Sequence, residues 1–104
     1  MKKEFKKAYQ QFLDEWGEDS QERMAIEEMS ELTKELCKKM RLCYDDFGEA
    51  NEQKLQITNQ NIKEEIADVL NMAEQLELYY GEEEIEKIRK QKIQRTLQLL
   101  KAGK

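Results

Sequence analysis

The sequence predicts an all-α protein, a four-helix bundle that homo-oligomerisation completes. The 104 residues include no proline and only four glycines, so few positions interrupt a helix. Apolar residues recur at intervals of three and four, which is the spacing of one helical face. Hydrophobic residues make up 38% of the chain and charged residues 39%, which leaves a thin core. This length indicates one domain spanning residues 1–104.

The first part of the chain contains two predicted helices. The first covers residues 3–15. Its apolar side holds Phe5, Tyr9, Phe12, Leu13 and Trp16. Gly17 ends this helix, and Asp19 or Ser20 is placed to cap the second, which runs from 21 to 44. The apolar stripe of the second helix consists of Ala25, Met29, Leu32, Leu36, Met40 and Cys43.

The remainder of the chain contains two more predicted helices. Residues 45–61 are polar, with one glycine and three asparagines, and we interpret them as the longest connection, part of which can be helical. The third helix covers residues 61–80. Its buried positions are Ile62, Ile66, Val69, Ala73, Leu76 and Tyr80. Gly81 ends it, and the fourth helix, residues 82–101, places acidic residues first and basic residues later, as the helix dipole favours.

The helix lengths predict an assembly. Two helices of about 20 residues each extend roughly 30 Å, and a chain of this size covers such helices only partly. We therefore expect a homodimer or homotetramer in which helices from several copies complete the core.

Composition excludes several classes of function. The net charge is −5 and there is no histidine, so a nucleic-acid partner is not expected. Cys37 and Cys43 project about 120° apart on one helix, at roughly 100° per residue, so no disulfide is expected and reduced thiols indicate a cytoplasmic protein. Two cysteines without histidine do not make a zinc site. Neither a membrane span nor a signal peptide is predicted.

Two acidic pairs border the apolar stripes of the second and third helices. Glu28 and Glu31 form one pair and Glu65 and Asp68 the other, each at the i, i+3 spacing of one helical face. Four carboxylates facing one space would repel one another unless protons or a cation neutralise them. Ligands that are all oxygen select hard cations, so Mg²⁺ or Mn²⁺ is the expected ion. The alternative is a non-catalytic helical protein-interaction module whose acidic flank is solvated, because glutamate is a common helix former.

Two motifs resemble those of a known family. AIEEMSEL resembles the EExxE motif of the MazG-like all-α nucleotide pyrophosphohydrolases, and EEIADVL resembles the ExxD motif that follows it. The resemblance covers about residues 21–76 and is to the short, single-domain members. It implies that the metal ligands are Glu28, Glu31, Glu65 and Asp68. Glu27 and Glu64 match the other motif acids and point further outward.

The resemblance also implies an activity, the hydrolysis of a nucleoside triphosphate to the monophosphate and pyrophosphate, with nucleotide-pool clearance as the expected role. Such hydrolysis depends on charge neutralisation and positioning more than on covalent chemistry. Mg²⁺ bridges phosphate oxygens and lowers the pKa of an attacking water. Glu28 or Glu31 is then the expected general base.

Three further residues are candidates for binding substrate. Lys92 and Arg95 lie one turn apart on the last helix, where similar basic pairs occur in this family; the alternative is a solvated basic helix end. Trp16 is the only tryptophan and can stack on a nucleobase; the alternative is a core or interface anchor. No residue in the sequence identifies the preferred base or sugar.

Overall fold

The computed structural model describes residues 1–44 and 49–103, and these form three helices with no strand. They are α1 (Lys3–Tyr44), α2 (Glu49–Tyr80) and α3 (Glu82–Lys101). The predicted all-α class is therefore confirmed for the described chain. The first two predicted helices are both present within α1, where a non-helical residue joins them without a loop.

That residue is Gly17, whose backbone has φ 83° and ψ 159°. Only glycine adopts this region without strain, because a Cβ atom would crowd its own backbone. A Cβ added there would meet no other atom within 4 Å, so the requirement comes from the backbone alone. Asp19, one of the two predicted caps, accepts a hydrogen bond at Oδ2 from Arg23 Nε, 3.2 Å away. The break at Gly17 bends residues 3–16, called the N-terminal arm below, across the far end of α2.

The arm is fixed to α2 by polar and apolar contacts. Tyr9 is 4% exposed and its hydroxyl donates to Asn71 Oδ1 at 2.8 Å. Leu13, one helical turn after Tyr9, is also buried. Lys6 forms an ion pair of 2.8 Å with Glu82 at the start of α3. These contacts hold the arm at an angle to the rest of α1.

The expected connection is shorter than predicted, because α2 begins at Glu49. Two of the polar residues that suggested a loop instead face α1. Asn51 is 8% exposed, and its side-chain amide lies 3.5 Å from the carbonyl oxygen of Leu42. Thr58 is 3% exposed. Residues 45–48 of the predicted connection lie outside the described residues.

The faces that pack between α1 and α2 follow a heptad-like order, with steps of four and three residues. All members are buried or half-buried. On α1 they are Gln21, Ala25, Glu28, Leu32, Glu35 and Leu42, and on α2 they are Asn51, Leu55, Thr58, Ile62, Glu65, Val69 and Met72. Carboxylates and amides thus occupy inward positions of this helix pair.

The predicted apolar stripes are buried only in part: Ala25 and Leu32 on α1 face inward as expected, whereas other members do not. Met29, Leu36 and Met40 are 49%, 41% and 61% exposed, and both cysteines are exposed and free. On α2, Ile66, Ala73 and Tyr80 are likewise exposed, whereas Ile62, Val69 and Leu76 are half-buried. In the arm, Phe5 and Trp16 are exposed. Part of the apolar surface of each long helix is therefore turned away from its neighbour in the same chain.

The third helix contributes little to the core. It has no buried residue and touches α2 lightly. The buried hydrophobic residues of the described chain are Tyr9, Leu13, Ala25 and Met72. Among the described helices, none combines the length and apolar content needed to cross a bilayer.

Candidate functional site

Three acidic side chains from two helices meet between α1 and α2. Glu28, Glu65 and Asp68 each place one carboxylate oxygen within 4.8 Å of the other two. Glu28 and Glu65 occupy inward positions on antiparallel helices, and Asp68 lies one turn beyond Glu65. We call these residues the acid triad. The packing of α1 on α2 brings together three of the four acids that the sequence singled out.

The acid triad carries uncompensated negative charge. Burial, followed by the nearby carboxylates of Asp68 and Glu65, raises the pKa of Glu28. Burial, followed by Asp68, Glu31 and Glu35, raises the pKa of Glu65. Glu65 Oε2 is buried and has no hydrogen-bond partner among the described residues.

The surrounding cations do not relieve this charge. The ion pairs found in the described chain join Lys6 to Glu82, Arg23 to Asp19, and Lys38 to Glu35. None of them includes a member of the acid triad. A buried carboxylate oxygen without a donor is costly to leave unpaired, and either a proton or a cation satisfies it.

The donor set fits a small hard cation. Three carboxylates with no nitrogen or sulfur ligand match the preference of Mg²⁺ and Mn²⁺ for oxygen. Mg²⁺ commonly uses one or two protein carboxylates and completes its shell with water and phosphate oxygens. Glu65 Oε2 is one of three buried carboxylate oxygens without a partner among the described residues, the others belonging to Glu35 and Glu74, and of these only Glu65 is in the acid triad.

The fourth predicted acid stands apart from the other three. Glu31 is exposed and does not belong to the group of converging oxygens, although its charge contributes to the raised pKa of Glu65. Glu35 is half-buried, with Oε2 buried and unpartnered and the other oxygen 3.2 Å from Lys38. Sequence reasoning missed Glu35, although its position two turns after Glu28 on the inward face could have identified it.

A cleft of about 470 Å³ adjoins the acid triad, and Glu28 and Asp68 form part of its lining. The other lining residues are Phe12, Trp16, Ser20, Gln21, Met24, Asn71, Met72 and Gln75. The rings of Phe12 and Trp16 stack with their centroids 5.5 Å apart and their planes inclined by 25°. Trp16 is 58% exposed. We call this space the aromatic cleft; the bend at Gly17 supplies its aromatic wall.

Amide groups from both helices also line the aromatic cleft. Gln21 and Gln75 are 5% and 3% exposed, and Gln21 Nε2 donates to Gln75 Oε1 at 2.6 Å. Gln75 Nε2 donates to the main-chain oxygen of Asn71 at 3.3 Å. Sequence reasoning did not identify Gln75 or Phe12, because nothing in local spacing reveals that residues 54 positions apart meet.

The predicted basic pair lies elsewhere in the chain. Lys92 and Arg95 are exposed on α3, and neither lines the aromatic cleft nor pairs with an acid among the described residues. Their proposed contact with phosphate therefore stays a prediction.

No protein-family model, curated protein or solved structure matches this chain. The resemblance to the MazG-like family consequently rests on the two sequence motifs.

Proposed function

We propose that this chain is a MazG-like pyrophosphohydrolase, which hydrolyses a nucleoside triphosphate to the monophosphate and pyrophosphate with Mg²⁺ or Mn²⁺. One observation carries the proposal: the acid triad and the aromatic cleft share Glu28 and Asp68, so a cation-binding cluster adjoins a space lined by aromatic and amide groups. A nucleotide needs both kinds of surface, one for its phosphates and one for its base.

Each part of the site has a distinct task in this proposal. Glu28, Glu65 and Asp68 hold the cation. A bound Mg²⁺ neutralises charge on the phosphate oxygens and favours ionisation of an attacking water. Trp16 and Phe12 stack on the base, a contact that any nucleobase can make.

The chain's own residues then handle one proton. Water attacks a phosphorus atom, the anhydride bond between the α- and β-phosphoryl groups breaks, and a carboxylate takes the proton from water. Glu28 and Glu31 are the candidate bases. Glu31, outside the converging group, is free of a ligand role, whereas Glu28 would serve through a carboxylate oxygen that the cation does not use. A histidine base is impossible because the chain has no histidine.

The proposal includes assembly with a second copy of the chain. Large apolar side chains are exposed on all three helices, among them Ile26 and Met40 on α1, Ile66 and Leu70 on α2, and Leu100 on α3. A helix about 30 Å long with no buried residue, as α3 is, does not fold stably by itself. A homodimer or homotetramer that covers these faces would stabilise α3 and fix where Lys92 and Arg95 lie.

The decisive experiment is product analysis with a panel of nucleoside triphosphates. We expect monophosphate and pyrophosphate, a requirement for Mg²⁺ or Mn²⁺, and inhibition by EDTA. Glu65→Gln should abolish turnover and keep the fold, whereas Glu52→Gln, an exposed acid on the same helix, should behave as wild type. Release of orthophosphate with a nucleoside diphosphate, or unchanged turnover of E65Q at limiting Mg²⁺, would overturn the proposal.

A melting experiment separates this proposal from the interaction module. Millimolar Mg²⁺ or Mn²⁺ should raise the melting temperature of the wild type, because a cation that binds only the folded state stabilises it. The rise should disappear in Glu65→Gln. A module with solvated acids would melt at the same temperature with and without the ion, and would hydrolyse no nucleotide.

A further inference from the structure

Hydrogen bonding fixes the orientation of the Gln75 side-chain amide at the floor of the aromatic cleft. Its neighbour on one side is the main-chain oxygen of Asn71, at 3.3 Å, which can only accept a hydrogen bond. Gln75 must therefore present Nε2 to Asn71. Its Oε1 atom consequently faces Gln21, and the usual ambiguity between the oxygen and nitrogen of an amide is removed.

The orientation of Gln75 in turn fixes Gln21. Because Gln75 Oε1 accepts, Gln21 must donate through Nε2, at 2.6 Å. Gln21 Oε1 then has no partner among the described residues, yet the fully buried side-chain oxygens without a partner belong only to Glu35, Glu65 and Glu74. Gln21 Oε1 therefore keeps contact with open space, and the space that Gln21 lines is the aromatic cleft.

From this chain of hydrogen bonds we infer that Gln21, held by Gln75, selects bases whose Watson–Crick edge carries an amino group beside a ring nitrogen acceptor, cytosine or adenine, over bases with an oxo group there. The inference rests on the proposed function, since it assumes that the aromatic cleft receives the base of a nucleotide. Gln21 is the specificity-determining residue, and Gln75 is a positioning residue that acts through it.

The chemistry of the base edges explains the selection. Gln21 offers one acceptor, Oε1, and one further N–H on Nε2 that Gln75 does not use. Cytosine presents the complementary order, an amino donor next to N3, and adenine presents an amino donor next to a ring nitrogen. At the same ring positions, uracil and hypoxanthine reverse this order and would set acceptor against acceptor and donor against donor. Uracil could offer the matching order only through N3–H and O2, with its ring displaced by one position. Rotating Gln21 to suit them would break its bond to Gln75 in a buried place.

Binding can be measured without turnover, because Trp16 is the only tryptophan and lines the aromatic cleft. We would titrate the protein, in Mg²⁺ buffer, with dCMP against dUMP and with dAMP against dIMP, and follow tryptophan fluorescence. The amino member of each pair should bind about 10- to 100-fold more tightly, the range of a good bidentate contact. Stacking on Trp16 is shared by both members and so cancels in the ratio.

Variants then test the role of each amide. Gln21→Met should bring both ratios close to one. Gln75→Leu should do the same, since it frees Gln21 to rotate. Gln11→Met, at an exposed position on the same arm as Trp16, is the matched control and should keep the wild-type ratios. Circular dichroism confirms that each variant is folded.

The outcomes separate this inference from the proposed function. Nucleotide binding with equal affinity within each pair, or tighter binding of dUMP and dIMP, would overturn the inference and leave the hydrolase proposal intact. Binding of none of the four monophosphates would overturn the inference as well, while the product analysis described above tests the hydrolase proposal separately. If Gln75→Leu does not fold, the affinity ratios of the wild type within each nucleotide pair still test the inference.

Discussion

Replacing Gly17 with alanine tests whether the bend in α1 is required by the fold. At φ 83° and ψ 159° an L-residue is strained, and such a conformation costs on the order of 1–3 kcal/mol. The strain has no steric component from neighbours, because nothing lies within 4 Å of the new Cβ. The variant could relieve this backbone strain only by straightening α1 into a continuous helix.

Straightening is the more expensive choice. Alanine in place of glycine gains about 1 kcal/mol in a continuous helix. Lifting the arm from α2 would expose Tyr9 and Leu13, and each buried side chain of this kind contributes about 1.5–3 kcal/mol. The bend should therefore persist, and the variant should lose about 1–3 kcal/mol of unfolding free energy.

Urea denaturation followed by circular dichroism measures this loss, with tryptophan fluorescence as a second probe of the arm. Gly103→Ala is the matched control. It also has a positive φ, of 77°, and open surroundings, but it follows the last helix, where the end of the chain can fray at little cost. A Gly17→Ala protein as stable as the wild type, with unchanged fluorescence, would refute the strain argument.

Four other predictions follow from the described contacts. Glu65→Gln should stabilise the cation-free protein at about pH 7 but not at about pH 4 or below. The folded state raises the pKa of Glu65 above its ordinary value of 4.5, so the wild type loses folding stability as pH rises from that value through the raised pKa. Thermal melts in EDTA across this range measure the difference between the two proteins. Tyr9→Phe should lower the free energy of unfolding by about 1 kcal/mol near neutral pH. It should also remove the loss of stability that the wild type shows between pH 10 and about 12, because burial and a nearby carboxylate raise the pKa of Tyr9 to about 12. Urea midpoints near neutral pH and across this alkaline range check both effects. Lys92→Ala and Arg95→Ala should raise KM more than they lower kcat if these side chains only hold phosphates, and steady-state kinetics would contradict this with a fall in kcat alone. Leu70→Glu places a charge on an apolar side chain that is 54% exposed, and light scattering should report a smaller particle than the wild type; a wild type that is already monomeric and cooperatively folded at micromolar concentration would contradict the oligomer.

Sequence patterns were sufficient for the all-α class and singled out the three acids that converge, and they were insufficient for the start of α2 and for the full rotation of each helix. Helical spacing identified α3 and most of α1 and α2, since that signal is local. It placed Met29 and Leu36 in the core because they recur with Leu32 at helical spacing. The structure instead turns Glu28 and Glu35 inward. Hydrophobicity identifies the face that must be covered, and it does not say whether the same chain or another copy covers it.

The aromatic cleft could not be predicted, for a different physical reason. Its walls come from the arm, the middle of α1 and the end of α2, and only the bend at Gly17 brings them together. Trp16 was a candidate because of its chemistry alone. Gln75 offered no signal, since a glutamine in a charged helix is ordinarily solvated, and its importance depends on meeting Gln21 across the pair of helices.

The bend at Gly17 also places the two kinds of cleft-lining group on two different segments of the chain. The carboxylates belong to the long helical pair, while the stacked rings of Phe12 and Trp16 belong to the short arm. Substitutions in the arm can therefore reshape the aromatic wall of the cleft without displacing a member of the acid triad.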